Sequence, residues 1–183
     1  QLIPFPLDEI SLDFEVLGPN LSDPTRNDVL VSAARTDSIT SRVTTLQDSG
    51  LQVKVVDVGL HALGRSIVAL LPELIGDKAQ AVCALVDIGA VSLTFGVMVN
   101  GEIIYSRLQS FGGDNFTQSI ASFYNLPQDE AERTKVQSRL PADADMDVLA
   151  PYITLLVQQV RRNIQLFCSS SGHREVDMLI LSG

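Results

Sequence analysis

Residues 10–17 alternate along the chain, with Ile10, Leu12, Phe14 and Val16 on one side and Ser11, Asp13 and Glu15 on the other. That period of two predicts a half-buried strand. The segment before it, Ile3-Pro4-Phe5-Pro6, cannot be helical, because each proline holds itself and its predecessor in extended geometry. Residues 18–28 are polar and contain Pro19 and Pro24, which predicts a turn or long loop. A short strand resumes over 29–33. Ile39, Val43 and Leu46 then recur at helical spacing, with Ser38 as the expected N-cap and Gly50 as the expected stop. Residues 51–58 read as a further strand. A helix from Leu60 carries Leu63, Ile67, Leu70 and Leu74 on one stripe until Gly76-Asp77 breaks it. The polar stretch 76–80 is the expected domain boundary.

The second half opens with a continuous apolar run over 81–88, the pattern of a strand buried on both faces. Residues 91–99 alternate and 102–107 return. Between them Asn100-Gly101 tolerates the positive φ that a two-residue type I′ hairpin turn demands. Phe116, Ile120 and Phe123 mark a helix after Gly112-Gly113, and residues 128–139 form a polar, charged helix. Leu149, Tyr152/Ile153, Leu156, Val160, Ile164 and Phe167 line one face of a long helix, and 176–181 predict a closing strand before Ser182-Gly183. Strands and helices so interleaved predict an α/β protein.

Composition sets limits on function. The 183 residues are 45% hydrophobic and 19% charged, as in ordinary globular proteins. A chain of this length buries roughly 70% of the surface its unfolded form exposes. The formal charge is −9, with 13 Lys and Arg against 22 Asp and Glu, and no basic run offers phosphates a patch. Non-specific nucleic-acid binding is thereby excluded. No apolar run approaches the length of a membrane span, and no signal peptide opens the sequence. Cys83 and Cys168 stand far apart without CxxC or His spacing, as expected of reduced structural thiols in a cytosolic protein. The chain begins at Gln1 and stops directly after a strand-like run, so a piece of a longer protein is expected.

Four short stretches could carry chemistry. Val86-Asp87-Ile88-Gly89-Ala90 is either a strand end with its turn or a site where Asp87 holds a hydrated Mg²⁺ and Gly89 lets backbone N–H groups approach a phosphate. In Phe111-Gly112-Gly113-Asp114-Asn115-Phe116, Asp114 either caps the helix or the paired glycines and the helix N-terminus face an anionic ligand. Glu132 and Lys135, at i and i+3, are either a surface ion pair or a pair that bonds a ribose hydroxyl and flanks an adenine. Ile180-Leu181-Ser182-Gly183 is a strand running into small residues that suit close backbone approach.

The order of these pieces resembles the second domain of actin-like ATPases. The resemblance narrows with Gln1-Leu-Ile-Pro-Phe-Pro-Leu-Asp-Glu-Ile10, Val55-Val56-Asp57-Val58 with Ala62-Leu63, the stretch 86–90, and Asn100-Gly-Glu-Ile-Ile-Tyr-Ser-Arg107. Together with Phe111-Gly-Gly113, Ala131-Glu-x-x-Lys135 and Leu181-Ser-Gly183, these residues resemble the PilM family, actin-like components of type IV pilus assembly related to the cell-division protein FtsA. The resemblance implies an actin-like ATPase fold of ribonuclease H-like domains. Residues 1–53 would form a small inserted subdomain, 1C, residues 54–78 part of subdomain 1A, and residues 81–183 domain 2. It implies ATP with Mg²⁺ as cofactors. Asp87, Gly89 and Ala90 would meet phosphate and metal, with Asp87 reaching Mg²⁺ through water. Gly112 and Gly113 would lie near the phosphates or ribose, Glu132 and Lys135 would contact the adenosine, and Ser182 and Gly183 would lie beside it. The partner implied is the cytoplasmic N-terminal tail of the inner-membrane protein PilN, held as an extended peptide between subdomains 1A and 1C. Other pilus platform or motor proteins and self-association complete the expected partners. The location implied is cytoplasmic, at the inner face of the bacterial inner membrane and touching it only through partners, with a role in twitching motility.

One residue departs from the family pattern. Gly59 follows Val-Val-Asp-Val where the family often carries Glu. Glycine has no carboxylate to polarise an attacking water, so hydrolysis is expected to be weak or absent and nucleotide to act as a structural ligand. Two other readings use the same motifs. One is an FtsA-like filament-forming cytoskeletal protein. The other is a small-molecule kinase of the same superfamily, which would need a catalytic carboxylate and a polar substrate pocket that these residues do not supply.

Overall fold

The computed structural model describes residues 6–20, 22–70, 81–137, 139–141 and 144–183. The expected proline-held entry over 3–5, Leu74 and the expected boundary over 76–80 lie outside the described residues. The chain divides into two compact units, Gln1–Val58 and Gly59–Gly183.

In the first unit a 3-10 turn, Leu7–Glu9, leads into strands β1 (Ile10–Pro19) and β2 (Asn27–Arg35), which pair antiparallel. Leu12↔Ala33, Phe14↔Val31 and Val16↔Val29 stand opposite one another, so the alternating apolar residues share one face as the pattern predicted. The loop expected over 18–28 is shorter than the polarity suggested. Asn20 closes it, accepting the N–H groups of Ser22 and Asp23 at 2.9 Å each and donating to Asp28 at 2.8 Å. Helix α1 (Thr36–Asp48) starts ahead of the expected Ser38 cap. The Arg35 guanidinium instead pairs with Asp37 at 3.0 Å and holds that carboxyl below the usual range.

Gly50 ends α1 as expected. Its φ is +82°, its N–H reaches Gln47 O at 2.9 Å, and Leu51 N–H reaches Leu46 O at 3.0 Å, the paired bonds of a Schellman stop. Residues 51–58 are not a strand, because no described strand pairs with them and a strand exists only with a ladder partner. The apolar face of β1 is not half-buried either. Phe14 is 63% exposed, and two strands with one helix enclose too little to form a core.

The second unit is built on a four-stranded sheet of order β5-β4-β3-β6, from β3 (Cys83–Ile88), β4 (Leu93–Val99), β5 (Glu102–Gln109) and β6 (Met178–Ser182). The β4–β5 turn has Asn100 at φ 54° and Gly101 at φ 84°, the two positive values of the predicted type I′ hairpin. Interior position overrides the alternation expected in β4, where Leu93, Phe95, Val97 and Met98 are all buried. On one face Val86, Phe95 and Val97 pack with Phe167 of the long helix α5 (Ala150–Ser171). On the other, Leu85 and Met98 pack with Leu60 and Ile67 of α2 (Gly59–Leu70). Leu60 sits where a Cβ on Gly96 would lie 2.8 Å from its methyl carbons, so this glycine lets α2 close onto the sheet.

A third cluster of Ile120, Ala131 and Val148 joins α3 (Gly113–Tyr124), α4 (Gln128–Val136) and a π-helical turn, Asp145–Leu149. Thus Leu149, expected on the long helix, belongs to the turn before it, and Ile153 is 45% exposed beside the packed stripe. Phe123, expected on the core face of α3, is 52% exposed. Both cysteines are free thiols, and burial pushes that of Cys83 up. Among the described residues no helix is long and apolar enough to cross a membrane.

Candidate functional site

β3 and β6 run parallel, so their carboxyl ends coincide and Asp87 stands beside Ser182. In open α/β sheets ligands collect at this end of the strands. Ser182 Oγ donates to Asp87 Oδ1 at 2.9 Å, which orients the carboxylate. The turn after β3 is closed by Gly89 N–H donating to Ser92 O at 2.9 Å. Gly183 has φ +143°, and a Cβ there would run into the Ile88 carbonyl oxygen and lie 2.9 Å from its carbon. At Gly183 the two strand ends therefore meet backbone to backbone.

Helix α3 docks against the same turn. Gly113 N–H donates to Gly89 O at 3.0 Å and Asp114 N–H to Ala90 O at 2.7 Å. The approach is so close that a Cβ on Gly112 would strike Gly89 O and lie 2.5 Å from Ala90 O. Asn115 supplies the cap, its Oδ1 accepting Gly112 N–H at 2.8 Å, while Asn115 N–H reaches Gly112 O at 3.1 Å. Asp114, weighed as the cap from sequence, does not fill that role. The first donors of α3 are thus engaged within the protein. The donors on offer belong to the turn that α3 holds, since among the described residues the N–H groups of Ala90 and Val91 bond no acceptor.

Glu132 and Lys135 form more than a surface pair. Lys135 Nζ lies 2.6 Å from Glu132 Oε2, 2.7 Å from Thr117 Oγ1 and 3.3 Å from Gly113 O. The Thr117 hydroxyl, 1% exposed, donates to Glu132 Oε2 at 2.5 Å. The Lys135 ammonium, and after it the Thr117 hydroxyl, hold the Glu132 carboxyl below the usual carboxylate range. Behind this network Tyr152 stacks between Phe111 and Phe116, with ring centroids 5.3 and 5.1 Å away, and its hydroxyl donates to Gly112 O at 3.3 Å. Burial pushes the Tyr152 phenol up, so it remains a donor.

An unbroken run of contacts therefore links the nine residues singled out from sequence. Asp87 bonds Ser182, Gly183 abuts Ile88, Gly89 and Ala90 bond α3 at Gly113 and Asp114, Gly112 abuts Ala90, and Gly113 meets Lys135, which pairs with Glu132. Sequence reading missed Thr117, Asn115 and Tyr152. Thr117 had a signal: it lies one turn after Gly113 and three residues before Ile120, a polar side chain on the helix face that enters the core.

The donor set suits a phosphate-bearing ligand with a hydrated divalent cation. Backbone N–H groups that bond no acceptor among the described residues lie in a turn that carries no side chain at Gly89, next to one oriented carboxylate. No group of three His, Cys, Asp or Glu side chains among the described residues could hold a metal directly.

Comparison with known proteins agrees with this fold. Residues 1–183 match the family described as "Type IV pilus assembly protein PilM". The cell division protein FtsA of Bacillus subtilis (strain 168) is 33% identical over 85 residues, covering 46% of this chain and 18% of that protein. Among solved structures, a chain of the PilM-PilN type IV pilus biogenesis complex aligns with a TM-score of 0.76 at 29% identity, over 100% of this chain and 52% of that one. The ethanolamine utilization protein EutJ from Carboxydothermus hydrogenoformans shares the fold alone, with a TM-score of 0.52 at 16% identity over 76% of this chain and 46% of that one. The fold is the mixed α/β, actin-like one that the sequence predicted. The chain spans about half the length, 52%, of the matched chain of the PilM-PilN complex, and its match covers 18% of the FtsA sequence.

Proposed function

The chain belongs to the family of the type IV pilus assembly protein PilM, and on that premise we propose that it carries one side of a nucleotide clamp in an actin-like assembly scaffold. The observation that carries the reading is the turn over 87–92. It carries no side chain at Gly89, holds N–H groups at Ala90 and Val91 that bond no acceptor among the described residues, and is braced by α3 through the Gly113–Gly89 and Asp114–Ala90 bonds. In this reading Gly89, Ala90, Gly112 and Gly113 border the phosphates of ATP. Asp87, oriented by Ser182, holds Mg²⁺ through water, and Glu132, Lys135, Ser182 and Gly183 border the adenosine. When bound, Mg²⁺ would neutralise phosphate charge that the acidic chain otherwise repels.

Gly59 stands where a carboxylate would be wanted for water activation, so nucleotide favours one conformation by differential binding rather than by turnover. The PilM-PilN complex supports the cytoplasmic tail of PilN as partner, which would place the protein at the inner face of the inner membrane during pilus assembly and twitching. Residues 1–53 and 54–78 would then be subdomains 1C and 1A, and 81–183 domain 2. Likeness to FtsA favours a second reading, filament formation by self-association.

Calorimetric titration of the full-length protein with ATP, with and without Mg²⁺, tests the clamp. Binding that weakens without Mg²⁺ and in Asp87→Asn is expected, and absence of ATP binding would overturn it. A PilN tail peptide is expected to bind the same preparation, and ATP-dependent light scattering would favour filaments instead.

A further inference from the structure

A carbonyl oxygen can only accept, so the Tyr152 phenol gives its proton to Gly112 O, at 3.3 Å. The same oxygen takes Asn115 N–H at 3.1 Å, which fills its remaining lone pair. Gly112 C=O and Gly113 N–H belong to a single planar trans peptide, so fixing the oxygen fixes the direction of the hydrogen. That hydrogen goes to Gly89 O at 3.0 Å. Gly89 C=O in turn shares its peptide with Ala90 N–H, which bonds no acceptor among the described residues. The phenol therefore starts a line of hydrogen bonds through successive peptide groups, and the line ends on an open donor.

The start of the line is anchored. Tyr152 is stacked between Phe111 and Phe116, so its ring is held on both faces. Further along α5, Asn163 Nδ2 donates to Gln109 Oε1 at 2.8 Å, and Gln109 Nε2 donates to Gln159 Oε1 at 3.1 Å. Gln109 ends β5, three residues before Gly112, and Asn163 is fully buried. Helix α5 thus grips both ends of the segment 109–112.

We infer that Tyr152 is a positioning residue for the anion-binding turn: acting through Gly112, Gly113 and Gly89, it aims the Ala90 N–H at the phosphates without touching the ligand. The inference rests on the nucleotide reading given above. Each bond in such a line polarises the next in the same sense, so the Ala90 proton becomes more positive as well as better aimed. Val91 N–H is the built-in comparison. Its peptide carries Ala90 O, which accepts from Asp114 N–H at 2.7 Å. The Asp114 peptide carries Gly113 O, which meets Thr117 Oγ1 at 3.2 Å and Lys135 Nζ at 3.3 Å. That second line does not begin at Tyr152.

The test uses the full-length protein, wild type and Tyr152→Phe, a change that keeps the stack and removes only the hydroxyl. Without nucleotide, nuclear magnetic resonance on protein labelled at alanine and valine nitrogens reads both open amides. The Ala90 amide proton is expected to move upfield in the variant and the Val91 amide proton to keep its wild-type position. With Mg²⁺ present, calorimetry compares ATP with adenosine. Tyr152→Phe is expected to weaken ATP about fivefold, the scale of a single hydrogen bond, and to leave adenosine within about twofold. Adenosine carries no phosphate for Ala90 to meet, whereas a general loosening of the packing would weaken both ligands alike.

An unmoved Ala90 signal overturns the inference. So does a Val91 signal that moves as far, because α3 then shifts as a body. Undiminished ATP affinity, or equal weakening of ATP and adenosine, also overturns it, and the nucleotide reading survives all of these results. A wild type that binds no ATP removes that reading and the inference with it, a failure seen before any variant is made. Should Tyr152→Phe fail to fold, judged by its thermal melt, Tyr152→Met also lacks the hydroxyl and carries the same expectations.

Discussion

Replacing Gly112 by Ala probes the closest approach in the site. A Cβ at this position would strike Gly89 O and lie 2.5 Å from Ala90 O and 2.8 Å from Ala90 C, all backbone atoms that no rotamer change can move aside. To reach ordinary contact, the turn must recede from α3 by roughly 1 Å. That shift stretches Gly113 N–H to Gly89 O from 3.0 Å and Asp114 N–H to Ala90 O from 2.7 Å to lengths at which neither bond survives. Two net backbone bonds at about 0.5–1.5 kcal/mol each, plus overpacking of about 1–3 kcal/mol, give an expected loss of about 2–6 kcal/mol.

The neighbouring substitution is the control. A Cβ on Gly113 would meet nothing nearer than Lys135 Nζ at 3.6 Å and Ala90 Cα at 3.9 Å, which is ordinary contact. Inside the first turn of a helix, Ala in place of Gly stabilises by up to about 1 kcal/mol. Urea unfolding of the two variants in the full-length protein, followed by circular dichroism, is expected to move their midpoints in opposite directions. Coincident midpoints would show that α3 and the turn do not meet as described, and the site built on their contact would fall with it.

Phe95 is fully buried between β3, β5 and α5, so Phe95→Ala is expected to cost about 3–5 kcal/mol in the same unfolding assay, and a cost below about 1 kcal/mol would contradict the packing. Glu132 contributes a pH-dependent term. Because its folded-state value lies below the ordinary one near 4.5, its contribution is present above that value and is lost as pH falls through the lower, folded-state value. Calorimetric melts are therefore expected to show the wild type's advantage over Glu132→Gln shrinking as the pH falls below the ordinary carboxylate value of 4.5, and an advantage that grows on acidification would refute the pairing.

Elements whose cause lies within a few residues were legible in the sequence. Asn100-Gly101 dictates its own turn because the two residues tolerate positive φ wherever they stand. Gly50 stops α1 for a similarly local reason. Residues 51–58 carry the composition of a strand, but a strand is a property of two segments, and no described segment pairs with this one. The alternation of β1 likewise predicts which residues share a face, correctly, and cannot predict what covers that face. Strand β4 fails in the other direction, since Gly96 and Met98 on the face opposite Phe95 are enclosed by neighbours that periodicity does not reveal.

The site divides along the same line, and the division explains its chemistry. Gly112 and Gly183 were legible because close approach of two backbones needs residues without side chains, and Asp87 because it stands at a strand end two residues before Gly89. Thr117 was not, because its role exists only once α3 and α4 pack through Ile120 and Ala131 and bring Glu132 and Lys135 to its hydroxyl. The pair at i and i+3 on α4 would be a weak, solvated contact if that helix stood alone. Docked on α3, the same two residues gain a buried third partner, and Lys135 is left 20% exposed. What separates a surface ion pair from a positioned carboxylate here is a single threonine on the neighbouring helix. A sequence search for this kind of site should therefore look past the acidic and basic residues, to the small hydroxyl on the core-facing side of the helix they dock against.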